Sequence, residues 1–161
     1  MFMPNWIRGS IKFRGKLKDI IKFFDECVED AEVEKDTYNG DKSLEYYYVF
    51  LSNSNEKHVW YLKGSDRAFI TDETNNYIVV DSNDLESIQI MAFDFKQAWG
   101  FETDYYKDIS SKYDIDIRLY GIERGMGFTE EIEIIKGEVI LNSTIHYYDF
   151  DWECPFPWYG G

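Results

Sequence analysis

Three strands and the turns that join them can be read from KYDIDIRLYGIERGMGFTEEIEIIKGEV, residues 112–139. Ile115, Ile117 and Leu119 alternate with Asp116, Arg118 and Tyr120, the period of a strand with one buried face. EEIEII resumes that pattern, and EVILNSTIHYYDF follows across Lys136-Gly137, a tight-turn pair. Between the first two strands, YGIERGMGFTEE (120–131) packs Gly121, Gly125 and Gly127 closely together. Such glycines either cradle a phosphate or let the chain reverse. A cradle needs backbone N–H groups converging at a helix N-terminus, and the Walker pattern adds a Lys and a Ser or Thr after the last glycine. Gly127 is followed instead by Phe128, Thr129, Glu130 and Glu131, and then by a strand. The glycines therefore read as a turn or bulge where positive φ is needed. Glu123, inside this turn, reads as an acceptor for the turn's free N–H groups.

Upstream, residues 7–13 read as a first strand, and KLKDIIKFFDECVEDAE (16–32) as an amphipathic helix of about four turns. Lys16, Lys18 and Lys22 come early in that helix, and Asp25, Glu26, Glu29 and Asp30 come late. This order opposes the helix dipole, so salt bridges to other segments are expected to offset it. Residues 31–43 read as a polar connection with a turn at Asn39-Gly40. Residues 46–51 and 58–63 read as strands paired around SNSNE, and AFIT and YIVV as a second hairpin around DETNN. Residues 87–95 form another strand. Thr103 is placed to cap a helix that buries Tyr106, Ile109 and Tyr113. The tail, DWECPFPWYGG, carries two prolines and reads as irregular. The plan is strand, helix, strands, then strand, helix, strands: an α+β protein with a mostly antiparallel sheet, helices on one face, and a ferredoxin-like character. One domain over 1–161 is expected, with possible halves 1–85 and 86–161 sharing a sheet.

The same 112–139 stretch resembles the C-terminal half of the YubB-like, ferredoxin-like family of plasmid and phage proteins. Tyr113, Glu123, Gly125, Gly127, Phe128 and Gly137 carry the likeness. Pro4-Asn5-Trp6 resembles that family's opening, and Trp99-Gly100 its tryptophan-glycine motif. Ile7-Arg8-Gly9 and Arg124 depart from the usual pattern, and residues 35–85 match nothing in it. The resemblance implies a two-part α+β fold and an origin on a mobile element; it implies no activity.

The balance of 31 acids against 17 bases gives a formal charge of −14, which disfavours direct contact with nucleic acid or an anionic membrane. Cys27 and Cys154 make neither a metal-spaced pair nor a disulfide framework, so a reducing cytoplasm is expected. The opening MFMPNWIRGSIKF lacks the apolar core of a signal peptide. No metal and no cofactor are expected. His146, Asp149 and Asp151 lie near one another, but alternation on a strand would turn His146 away from the two aspartates. The pairs Asp114/Asp116 and Glu131/Glu133 read as a wet sheet face rather than an acid–base dyad. Seven acids fall within 25–36, and seven more follow residue 129 against Lys136 alone. Same-face residues on a strand recur at about 6.6–7 Å, a spacing similar to that of successive phosphates, so a carboxylate ladder can imitate a nucleic-acid backbone.

Asp25, Glu26, Glu29 and Asp30 are therefore candidate contacts for a basic partner. So are Asp149, Asp151, Trp152, Glu153, Phe156 and Trp158 in the tail, where aromatics sit beside acids. The tail also reads as a lid over the sheet. Taken together, these features suggest a non-catalytic, acidic protein that binds a basic host protein, in the manner of an anti-CRISPR inhibitor. The alternatives are an enzyme assembled around Glu123 and His146, or a phage structural accessory.

Overall fold

The structure, a computed structural model, describes residues 4–38, 41–51, 59–71, 77–80 and 84–160. Its elements are β1 (Trp6–Lys16), α1 (Leu17–Cys27), β2 (Ala31–Tyr38), β3 (Asp41–Leu51), β4 (Trp60–Tyr61), β5 (Ala68–Ile70) and β6 (Tyr77–Val80). They continue with β7 (Ile88–Ala98), α2 (Thr103–Tyr113), β8 (Asp116–Glu123), β9 (Phe128–Ile135), β10 (Glu138–His146) and α3 (Phe150–Glu153). Seven strands form one antiparallel sheet in the order β10-β9-β8-β1-β7-β5-β4, and a second sheet runs β2-β3-β6. β1 is antiparallel to both of its neighbours, so β7 and β8 run parallel on either side of it and α2 crosses between them. β1, β4 and β5 thus share the large sheet with β7 to β10, and the two halves of the chain meet in it.

Strict alternation builds the core. Ile7, Ile11 and Phe13 of β1, Met91, Phe93 and Phe95 of β7, Ile117 and Leu119 of β8, and Ile132 and Ile134 of β9 are all buried. Both long helices cover this face. α1 contributes Leu17, Ile20, Phe23, Phe24 and Cys27, and α2 contributes Tyr106, Ile109 and Tyr113. Phe13 sits at the centre, with ring centroids 4.8 Å from Phe23, 5.8 Å from Phe24 and 6.2 Å from Phe93. Each such ring taken from water stabilises the fold by about 1.5–3 kcal/mol.

α1 is shorter than its amphipathic pattern suggests. The chain leaves the helix at Val28, which bridges to Leu62, and Asp30 adopts a left-handed φ of 64°. Its reversed charges find partners elsewhere: Lys16 and Lys18 both reach Glu86, at 2.8 and 2.5 Å, and Glu26 accepts a 2.7 Å hydrogen bond from the Tyr113 hydroxyl.

Four local expectations are corrected. Residues 46–51 do not pair with 58–63, because β3 lies between β2 and β6 whereas β4 pairs with β5 in the other sheet. β5 and β6 likewise fall in different sheets, and the supposed loops SNSNE and DETNN lie outside the described residues, as does Asn39-Gly40. The polar connection after α1 is strand β2, whose Val33 and Thr37 alternate with acids. Thr103 is the first helical residue of α2 rather than its cap; Glu102 holds that position, and no side chain caps it. Lys136-Gly137 is the tight turn expected, with φ values of 48° and 76°. Ser110, fully buried on α2, accepts the Gly137 N–H at 2.9 Å and fixes the helix to this turn.

Candidate functional site

Pro4-Asn5-Trp6, Trp99-Gly100 and the Glu123–Phe128 turn, scattered over the sequence, converge at one end of the large sheet, whereas Tyr113 and Gly137 lie at the other. Trp99 donates its N–H to the Asn5 carbonyl at 2.7 Å, joining the Pro4-Asn5-Trp6 opening to Trp99-Gly100. A Cβ on Gly125 would lie 2.6 Å from the Asn5 side chain, so the glycine turn and the opening interlock. Glu123 is wholly buried, and its two carboxylate oxygens accept the N–H groups of Gly125 and Met126 at 2.7 and 2.6 Å. This is the turn-holding role read from the sequence. Gly127 has φ +70°, which disfavours any side chain, and its carbonyl accepts the Tyr147 N–H at 2.8 Å. Pro4 and Asn5 are half-buried. Trp6 packs edge-on to Phe69 at 6.1 Å, under the Lys96 ammonium 4.6 Å from its ring centroid. Trp99, at φ +69° and about half exposed, carries backbone strain that a bulky residue rarely sustains.

Glu123 and His146 lie on strands that are not neighbours, β8 and β10, with β9 between them. Strand register sets Glu123 opposite Phe128 and Phe128 opposite His146, so the aromatic ring stands between the two. Their backbones are separated by two strand spacings, about 10 Å. The group within electrostatic reach of His146 is Glu130, which sequence reasoning missed. Glu130 shares the helix-side face with Ile132 and Ile134, a parity already visible in EEIEII. Its carboxylate accepts the Phe101 N–H at 3.0 Å, and burial pushes its pKa up against that hydrogen bond. Among the described residues no group of three or more His, Cys, Asp and Glu is placed to hold a metal ion, and no helix is long and apolar enough to cross a membrane.

The acidic clusters lie apart. Asp25, Glu26, Glu29 and Asp30 are all exposed at the end of α1, on the helix-covered side of the sheet. The C-terminal cluster belongs to the opposite, open side. That open face corrects the expectation of a carboxylate ladder. Glu131 and Glu133 both pair with Arg118 of β8, and Asp116 pairs with Arg14 at 2.7 Å. Arg8, Lys12 and Arg14 line the same face of β1, with Lys12 directly opposite Arg118. Lys12, Arg14, Asp116, Arg118, Glu133 and Ile90 border a shallow groove of about 220 Å³. Positive charge runs down the middle of this face although the protein as a whole carries −14. Lateral register, which composition does not reveal, places these charges side by side.

The tail is both lid and display. Cys154 is buried, a Cβ on Gly160 would lie 2.9 Å from the Ile122 carbonyl, and burial followed by the nearby Asp94 raises the Tyr159 pKa. These contacts seat the segment against the open face. α3 is built from its own acids: Asp149 accepts the Trp152 N–H at 3.4 Å, and Glu153 accepts the N–H groups of Tyr148 and Asp149 at 2.8 and 3.0 Å. Four aromatics of this segment point to water. Tyr148 is fully exposed, Trp152 is 86 % exposed, Trp158 73 % and Phe156 51 %, with Phe156 and Trp158 edge-on at 5.9 Å. Asp151 is exposed beside them. Asp149 and Glu153 are largely committed to holding the local backbone, so the outward chemistry of this segment is more aromatic than acidic. No protein-family model, curated protein or solved structure matches this chain.

Proposed function

We propose that this is a non-catalytic protein that acts by contact with a basic protein of the host cell, through its C-terminal aromatic surface. The observation that carries this reading is the outward display of Tyr148, Trp152, Phe156 and Trp158 on a segment anchored by Cys154 and Gly160. Large aromatics fixed in place lose little entropy on binding and are the residue types that dominate interface energetics. Left bare they lower solubility, so an exposed surface of this kind points to a partner. The net charge of −14 selects a partner of opposite sign and steers its approach. In its sharpest form the partner is a nucleic-acid-binding defence protein in the host cytoplasm whose basic groove is occluded. The motif resemblance to plasmid and phage proteins supports that setting.

The strand arrangement supports a ferredoxin-like reading of the scaffold. In the order β8-β1-β7-β5 we read its four central strands, with α1 and α2 as the two crossover helices and β9-β10 appended at one edge.

The test is affinity capture from host lysate at rising salt, with a Trp152→Ala/Trp158→Ala double variant as control and mass spectrometry as readout. A basic protein that is retained by the native chain, released by salt and lost with the double variant supports the proposal. Equal capture by both chains, or retention indifferent to salt, refutes it.

A further inference from the structure

Among the described residues, one edge of the large sheet is strand β10, nine residues long and exposed or half-exposed along its whole length on both faces. Long open edges are ordinarily guarded by charge, by proline or by shortness. Here residues 139–145, VILNSTI, carry no charge in a chain that is 30 % charged. Among the described residues the guard is a bulge at Ile140, which shifts the register of one end of the strand relative to β9.

We infer that two copies of this chain associate edge to edge through residues 141–145 of β10, antiparallel about a two-fold axis at Ser143. Beyond the bulge, Leu141, Ser143 and Ile145 face the open side with Glu133, Glu131 and Thr129, while Asn142 and Thr144 face the helix side. Rotation about Ser143 keeps every residue on its own face. It sets Leu141 against Ile145 of the second copy, Asn142 against Thr144 of the second copy, and the two Ser143 residues against each other. Apolar thus meets apolar and polar meets polar at every position, with each pair made twice by symmetry. Axes at Asn142 or Thr144 do worse: the first runs into the bulge and the second sets Ser143 against Ile145. Of the carboxylates opposite this stretch on β9, Glu131 and Glu133 are engaged by Arg118 on the open side, and Glu130, opposite Thr144 on the helix side, accepts the Phe101 N–H, so none faces the seam without a partner. The self-matching sequence favours a second copy over a foreign strand.

Sedimentation of the full chain from micromolar to millimolar concentration tests the inference, together with thiol crosslinking. The expected result is a concentration-dependent dimer that strengthens as salt rises, because the remaining charge on two acidic bodies repels. This is the opposite salt trend from binding of a basic partner. Ile145→Lys, at an exposed position that leaves the fold intact by circular dichroism, should raise the dimer dissociation constant by about tenfold or more. Ser143→Cys should crosslink to itself under mild oxidation. Asn142→Cys should not, since its own counterpart lies diagonally at about 7–8 Å, beyond disulfide reach. The native Cys27 and Cys154 are buried and serve as the background control. A monomer throughout, a dimer indifferent to Ile145→Lys, or equal crosslinking at 142 and 143 would overturn the inference. So would β10 amides that gain exchange protection only when a host protein is added, which would assign the edge to a foreign strand.

Discussion

Replacing Glu123 by alanine removes the acceptor for two backbone N–H groups and leaves a buried gap beside the glycine turn. The carboxylate is completely buried and reaches Gly125 and Met126 at 2.7 and 2.6 Å. Hydrogen bonds to a charged group contribute about 1.5–3 kcal/mol each. Gly125 and Met126 are themselves exposed, so water recovers part of the loss once the side chain is gone. The expected cost is therefore at or just below the lower end of the two-bond sum of about 3–6 kcal/mol, about 2–3 kcal/mol. For a chain of this length each kcal/mol moves Tm by about 2–4 °C, which places the fall at about 4–12 °C. Glu123→Gln keeps one carbonyl oxygen and should fall between native and alanine. Calorimetry measures the shift, and hydrogen exchange at Gly125 and Met126 locates it, since those two amides should lose protection first. Partner capture at a temperature where the variant is fully folded should be unchanged. A Tm within about 1 °C of native, or loss of biological effect at unaltered stability, would refute the turn-holding role and reopen a chemical one.

Phe13→Ala, at the centre of the aromatic cluster, should cost about 3–5 kcal/mol by denaturant titration; a cost under about 1 kcal/mol would show that the helices do not pack on this face. Two carboxylates should respond to pH with opposite sign. Glu86, whose pKa is held down to about 2 by hydrogen bonds from Lys16 and then Lys18, supports the fold above its unfolded value of 4.5; that support fades as pH falls from 4.5 towards 2. The stability gap between native and Glu86→Gln should therefore close over that window, and a gap that widens there would contradict the pairing. Glu130, raised by burial, is favoured when protonated, so its charged form detracts from stability as pH climbs through and above 4.5. Glu130→Gln can still accept the Phe101 N–H, and its Tm should equal or exceed native at pH 7, with the advantage shrinking below pH 4.5. A variant that is less stable only at neutral pH would mean the ionised carboxylate is stabilising.

Local pattern carried much of this fold and little of its pairing. Ile115, Ile117 and Leu119, and Ile132 and Ile134, fixed both strand identity and buried face, because period-2 alternation depends on neighbouring residues alone. The apolar stripe of α1 was equally plain. Pairing across distance was not: 46–51 and 58–63 both read as strands, yet nothing in either segment records that a second sheet claims the first. The same limit hid the basic centre of the open face. Arg8, Lys12 and Arg14 share a strand face by spacing, but Arg118 joins them only through the antiparallel register of β8 on β1. Glu123 was legible because its partners lie two and three residues away. Glu130 was not, because its partner Phe101 is 29 residues distant.

The central claim is that the exposed C-terminal aromatics dock on a basic partner and exclude that partner's nucleic acid. The most direct measurement is the fluorescence anisotropy of a labelled oligonucleotide bound to the captured partner, titrated with this protein. The account predicts displacement of the oligonucleotide by the native chain, weaker at high salt, and none by the folded Trp152→Ala/Trp158→Ala variant. An unchanged anisotropy with the native chain, or equal displacement by the variant, would contradict it.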